Sequence, residues 1–370
     1  MPLTRSNIRR GLLALCCAGA ASLSALAGGA EAAGKKAIWG PTMLPAGNVN
    51  CPPPRIDPCS AFPTYQALGV DTFQIQLQWD QVAPTRPANP TNPNDPAYRW
   101  PPSVDRAVVD GAATGIEVAL MVKLSPPWAN GGRSPIWAPQ RSAYSAFLRA
   151  AAARYPGVRK WMIWGEPTRK EAFQPMAKKS KKGPRRYARL LDAAYKTLKS
   201  IDRGNVVIGG MSVNAGTVTP NRYLRNMARG GKMPKMDLWG HNPFDNRRPR
   251  LKDRPIRNFR GFNDIDTLWK EIKKAYRRQK KKGRPRGLFL SEITYPTDRR
   301  ATVFEGGFFV SRREQARRIS AAYKIANRQK YVKTLGYFTL MDELSGNNLW
   351  GLIESDGDRK PGFFAYAAAP

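Results

Sequence analysis

The sequence predicts a single-domain (β/α)8 barrel, from three observations. Eight short apolar segments have the length of strands, about eight helical segments alternate with them, and no linker or composition shift interrupts the alternation. A doubly wound open sheet shares the alternation, but no Gly-rich phosphate turn follows an early strand here. With 42% hydrophobic and 10% aromatic residues in 370, the chain has enough apolar surface for a sizeable core.

Residues 1–32 read as an export leader and residues 33–370 as the folded domain. Arg5, Arg9 and Arg10 open the leader, an apolar run follows from Gly11 to Ala27, and Ala30-Glu31-Ala32 offers a small-residue cleavage site. The apolar run is short for a bilayer span, and no later stretch reaches the ~20 apolar residues that a span needs. The protein is therefore expected to be secreted or associated with the cell envelope. Cys16 and Cys17 would leave with the leader. Cys51 and Cys59 are expected to pair in an oxidising compartment and close a Pro-rich loop. One histidine and four cysteines are too few for a Cys/His zinc site, so neither a metal nor a cofactor is expected.

The domain opens on a short strand at Lys36–Gly40 and a helix near Ala61 to Leu68. Asp71 to Trp79 alternates polar and apolar residues, a period-2 strand, and an amphipathic helix follows from Ser103 to Thr114. Ile116–Val122 is the third strand, Ser142 to Tyr155 a helix, and Trp161–Trp164 the fourth strand. The rhythm then repeats. Strands are expected at 205–209, 235–241, 287–292 and 334–340, and helices at 185–201, 221–228, 264–281, 313–329 and 361–369.

In such a barrel the functional residues stand at the C-terminal ends of the strands. That rule gathers Trp79, Lys123 with Trp128, Glu166, His241 with Asn242, and Glu292 with Tyr295. Two of these are acids in a chain with only 27 acids against 62 bases. Glu166 lies between Trp164 and Pro167, where the apolar run WMIW stops, and Glu292 ends the run Leu288 to Ser291 in the same way. One such acid could serve as a rim ion pair. Two, on the fourth and seventh strands, suit glycoside hydrolysis, in which one carboxyl protonates the leaving oxygen and another attacks or activates water. Aromatic faces stack on pyranose rings and amides bind hydroxyls, so Trp79, Trp128, His241, Asn242 and Tyr295 are candidates for sugar contact. A serine-hydrolase triad would have to use His241, yet no G-x-S-x-G elbow is present.

These same residues carry a family resemblance. Trp161-Met-Ile-Trp-Gly-Glu-Pro-Thr168 resembles the acid/base strand of clan A glycoside hydrolases (the "4/7" barrels), which usually reads W-x-x-x-N-E-P. FLSEITYPT, residues 289–297, resembles that clan's nucleophile strand. The likeness extends to Gly69-Val-Asp-Thr-Phe73 with Trp79, Tyr98-Arg-Trp100 with Asp105, Ser125-Pro-Pro-Trp128 and His241-Asn-Pro-Phe244. It continues through Asn348-Leu-Trp-Gly-Leu352 and Asp356–Pro361, and is greatest to families 5 and 39. The resemblance implies that Glu166 is the general acid/base and Glu292 the nucleophile of a retaining enzyme. Three positions depart from the pattern. Gly165 replaces the asparagine before the acid/base, Gln74 replaces an arginine near the nucleophile, and Leu340-Met-Asp342 lacks the strand-eight tryptophan, for which Trp350 could substitute.

The departures leave open a second reading: a catalytically weak or silent carbohydrate-binding barrel at the cell surface. Carboxyls that face each other favour the enzyme, and a base between them favours the binding barrel. Three basic runs, Lys178–Arg186, Arg247–Lys252 and Lys273–Arg286, underlie a net charge of +35. The first two fall in loops on the catalytic rim, where a positive field would concentrate an anionic polysaccharide. Nucleic acid would fit the charge, but an export leader and the absence of a recognisable nucleic-acid motif argue against it.

Overall fold

The structure, a computed structural model, describes residues 36–44, 59–228, 231–251, 253–277, 279, 283–297, 308–343 and 349–370. The expected leader and Cys51 lie outside these residues, and with them the expected pairing of Cys51 with Cys59. Eight parallel strands close into a barrel: β1 (Lys36–Trp39), β2 (Thr72–Gln78), β3 (Glu117–Lys123), β4 (Lys160–Ile163), β5 (Val206–Val213), β6 (Leu238–Asn242), β7 (Leu288–Ile293) and β8 (Val332–Phe338). Between and after them run α1 (Phe62–Ala67), α2 (Pro102–Thr114), α3 (Arg141–Arg154), α4 (Lys182–Ile201), α5 (Pro220–Met227), α6 (Ile265–Ala275), α7 (Arg312–Arg328) and α8 (Pro361–Ala367). This is the expected (β/α)8 architecture. Closure is made at β1, which pairs with β8 on one side (Trp39 opposite Phe338) and β2 on the other (Trp39 opposite Gln74).

The pattern of each strand explains the two layers. Alternate side chains point into the barrel, where Trp39, Ala119, Met121, Met162, Ile208, Met211, Leu238 and Phe289 fill the interior. The intervening residues meet the helices in a larger core that includes the fully buried Trp161, Trp164 and Trp239. Burying each such side chain is worth about 1.5–3 kcal/mol or more. The helices are also tied down by tyrosines whose hydroxyls donate to strand carbonyls. Tyr144 of α3 donates to Val122 O, Tyr187 of α4 to Ile163 O, Tyr323 of α7 to Leu335 O and Tyr366 of α8 to Ala37 O, at 2.7–3.1 Å. Each bond satisfies a buried carbonyl and fixes a helix against the barrel, α3 and α4 to the strand before them and α7 and α8 to the next one round.

Two differences from the sequence reading bear on the site. β5 runs on from the expected Gly209 to Val213, through a register shift opposite β6, where Gly210 takes φ 81° because a Cβ would meet the Trp239 ring at 2.7 Å. Short helical turns also occupy the loops at Trp79–Val82 and Pro127–Asn130. No helix among the described residues is long and apolar enough to cross a membrane.

Candidate active site

The mouth of the barrel brings Glu166, Asn242 and Glu292 together. Beyond β4 the chain turns sharply: Trp164 (φ 67°) and Glu166 (φ 43°) both adopt left-handed backbone around Gly165. Such conformations cost on the order of 1–3 kcal/mol each in a non-glycine residue. The buried indole of Trp164, whose Nε1 donates to Ala172 O at 2.8 Å, holds the turn in place. Glu166 is thereby lifted off the strand line and aimed across the mouth. Asn242, the last residue of β6, donates from Nδ2 to Glu166 Oε1 at 3.0 Å, and its side chain favours the ionised form of Glu292. A single amide therefore acts on both acids. Its own carbonyl oxygen is buried with no donor among the described residues.

The electrostatics of the pair are unequal. Burial first, then the negative charge of Glu166, push the Glu292 carboxyl up to about 8. Lys123, Asn242 and Arg169 pull it back. At neutral pH Glu292 therefore holds its proton in the resting site. Lys123, at the end of β3, feels Glu166, Glu292 and Asp80, while its burial lowers its proton affinity. Burial likewise raises that of Asp80. Arg169 Nη1 lies 3.0 Å from Glu166 Oε2, so both oxygens of Glu166 are capped by donors.

Gly165 and Gln74, two of the three departures from the family pattern, have structural partners. A Cβ at Gly165 would fall 2.9 Å from Met121 Sδ and 3.8 Å from Lys123 Cδ, so the space beside it is taken by these two side chains. Gln74 is fully buried. It is hydrogen-bonded to Ser291, the residue preceding Glu292, and Trp39 Nε1 donates to the same serine hydroxyl at 3.3 Å. It braces β7 from below.

Several residues expected to touch sugar stand elsewhere. His241 is fully buried: its Nε2 donates to Arg260 O at 2.7 Å, which leaves Nδ1 to accept from Ser212 Oγ at 2.8 Å. Burial lowers its pKa to about 4, so it is a neutral structural histidine with no ring nitrogen left for a substrate. Neighbouring residues of a strand face opposite sides, and on β6 it is Asn242 that faces the mouth. Trp79 is fully buried too, stacked on Phe147 at 5.0 Å and met edge-on by Trp128 at 5.5 Å. Trp128 is half-buried, and its Nε1 donates to Ala83 O. Tyr295 is 1% exposed with Arg318 over its ring, so it forms wall rather than surface. Trp350 packs on Phe338, the last residue of β8, at 5.5 Å, which puts an aromatic pair at the strand-eight end. Lys123, Asp80 and Arg169 had no assigned role in the sequence reading. Lysine and arginine are abundant throughout this chain and do not stand out. Among the described residues no cluster of His, Cys, Asp and Glu is arranged to hold a metal.

No family model and no curated protein matches the sequence. Solved structures do. A family 39 glycoside hydrolase from Bacteroides cellulosilyticus superposes with TM-score 0.61 at 17% identity, covering 91% of this chain and 63% of that one. The fold is that of the glycoside hydrolase barrels. A glucosidase from Croceicoccus marinus gives 0.63 at 13% identity over 90% of this chain and 66% of that one. A β-glucosidase from Thermotoga maritima gives 0.54 at 16% identity over 82% and 84%. The chain thus spans less than two thirds of the length of the first two. The likeness in fold to a family 39 enzyme extends over 91% of this chain.

Proposed function

We propose that this chain is a retaining glycoside hydrolase acting on O-glycosidic bonds, with Glu292 as nucleophile and Glu166 as acid/base. The observation that carries the reading is the mutual influence of two carboxyls at one mouth, Glu166 from the turn after β4 and Glu292 from β7, with the Asn242 amide donating to Glu166. Before the first step the proton that Glu292 holds at rest passes to Glu166; a Glu292 oxygen then attacks the anomeric carbon while Glu166 gives that proton to the departing oxygen. In the second, Glu166 takes a proton from water, the water oxygen attacks the anomeric carbon, and the ester to Glu292 breaks. The orphaned Asn242 Oδ1 offers an acceptor to a sugar hydroxyl, and Phe338 with Trp350 an aromatic face. That solved proteins of this fold are named glycoside hydrolases and glucosidases supports the reaction class.

An anionic polysaccharide is the substrate class that the charge of the rim favours, and export to the cell surface is the location that the leader favours. A second reading has its own support: with Glu166 capped by Arg169 and Asn242, and Lys123 beside both acids, the site also suits a binding barrel whose acids are neutralised. Turnover of a panel of aryl glycosides and acidic polysaccharides, wild type against Glu292→Gln, separates the two. The enzyme requires at least one substrate on which wild type is faster. Equal rates throughout leave the binding barrel.

A further inference from the structure

The loop after β4 and the end of β5 enclose a cavity of about 750 Å3 immediately beside Glu166. Arg169 belongs to both: it lines the cavity and rests on Glu166 Oε2. Lys178, Lys179 and Arg222 add three further cations, and among the described residues no carboxylate pairs with any of them. The single acid in the lining, Glu171, pairs with Lys170 at 3.9 Å. The second basic run is different. Arg247 is held by Asp245 and Asp264, Arg248 by Glu314 and Arg250 by Asp253. Of the two rim runs, then, the first keeps its charge uncompensated, and keeps it in a concavity next to the acid pair.

Like charges crowded into a concave surface repel one another, and an anionic ligand relieves that repulsion. The remaining lining suits a sugar: Asn214 and Asn258 supply amides and Phe259 an aromatic ring. Lys179 is shared with a second cleft that runs on past Lys182 and Arg186, so a polymer has a continuous basic path. We propose that this cavity is a subsite for a sugar bearing a carboxylate or sulfate, and that Arg169 couples its occupancy to Glu166. The inference rests on the reading of Glu166 as acid/base. A guanidinium prefers a fixed anion that it can grip with two N–H groups. An anion in the cavity draws Arg169 off Oε2 and clears the oxygen that must face the leaving group.

Binding tests the subsite without turnover. Glu292→Gln protein is titrated calorimetrically at low salt with three oligomers of equal length: a neutral cello-oligosaccharide, an oligoglucuronan and a sulfated cello-oligosaccharide. At least one anionic oligomer is expected to bind ~10-fold tighter than the neutral one or better, and which of the two does so identifies the anion. Salt and the double substitution Lys178→Ala/Lys179→Ala, both at exposed side chains, should remove most of that margin. Anionic oligomers no tighter than the neutral one, or a margin that survives the double substitution, would overturn the subsite. In the active enzyme the preferred anionic substrate should gain in kcat as well as KM, and Arg169→Gln should erase the kcat gain. A gain confined to KM overturns the coupling. Failure of the hydrolase reading looks different: no turnover of any glycoside, with the binding margin intact.

Discussion

Gln74 and Ser291 exchange two hydrogen bonds beneath the acid pair: Gln74 Nε2 donates to Ser291 O at 3.0 Å, and Ser291 Oγ donates to Gln74 Oε1 at 2.8 Å. Both side chains are buried, and Ser291 adjoins Glu292 along β7. Gln74→Ala removes both bonds at once. It should cost about 1–3 kcal/mol through the buried groups left unpaired. The larger effect should be on turnover, since a misplacement of ~1 Å in a reacting group can cost ~100-fold. Thermal melting and kcat on one aryl glycoside check the two. A fall in stability with unchanged kcat would mean that Gln74 braces the barrel without setting the position of Glu292.

The acids were legible in the sequence because each interrupts an apolar strand, which a surface residue would not do. Asn242 was legible for the same reason. His241 and Trp79 were misread because a strand's end is visible in sequence while the facing of its last residues is not. One position decides whether a ring meets the cleft or the helices, and β2 passes into a helical turn at Trp79. Gly165 looked like a missing side chain. The structure gives the space beside it to Met121 and Lys123, contacts between separate strands that no local pattern encodes. Arg169 was hidden by abundance, one base among 62.

As the proposed nucleophile, Glu292 must be ionised to attack, and its pKa is raised to about 8, so on a substrate that needs no acid kcat/KM should climb with pH toward about 8. That limb reports the pair, and its neighbours should move it in opposite directions. Glu166→Gln removes the charge that pushes Glu292 up, so the limb should shift to lower pH. Lys123→Met removes a charge that pulls it down, so the limb should shift to higher pH. A substrate with a dinitrophenolate leaving group, which needs no acid, gives the profile in all three proteins. Shifts of the opposite sign would reverse the charge assignments.

Lys360 and Asp342 test how the rim is held. Lys360 Nζ lies 2.6 Å from Asp342 Oδ2 with both side chains almost wholly buried, and the lysine also donates to Thr297 Oγ1 at 3.0 Å. Asp342 Oδ1 accepts from Gly351 N at 2.7 Å. The pair thus ties the segment after β8, which carries Trp350, to the loop after β7. Lys360→Met leaves a buried carboxylate unpaired and should cost ~3–5 kcal/mol, while Lys360→Met with Asp342→Leu should recover most of it. Denaturant midpoints of the three proteins measure this. If the double variant is no better than the single, the pair's hydrogen bonds matter more than its charge balance.

The same raised carboxyl predicts that removing the Glu292 charge stabilises the fold at alkaline pH. The pKa of Glu292 stands above its ordinary value of 4.5, so the folded protein binds that proton more tightly than the unfolded chain. Its contribution to stability is fully present below pH 4.5 and is lost as pH rises through about 8. Glu292→Gln keeps the shape and discards the titration. At pH 8 the variant should melt at a higher temperature than wild type. The gap should close steadily as pH falls toward 4.5. Melting temperatures of both proteins across that window give the measurement, and a gap that does not change with pH would mean that Glu292 is already ionised throughout it. In that case Lys123 and Arg169 outweigh burial, and the rate profile should lose its rising limb near pH 8 as well.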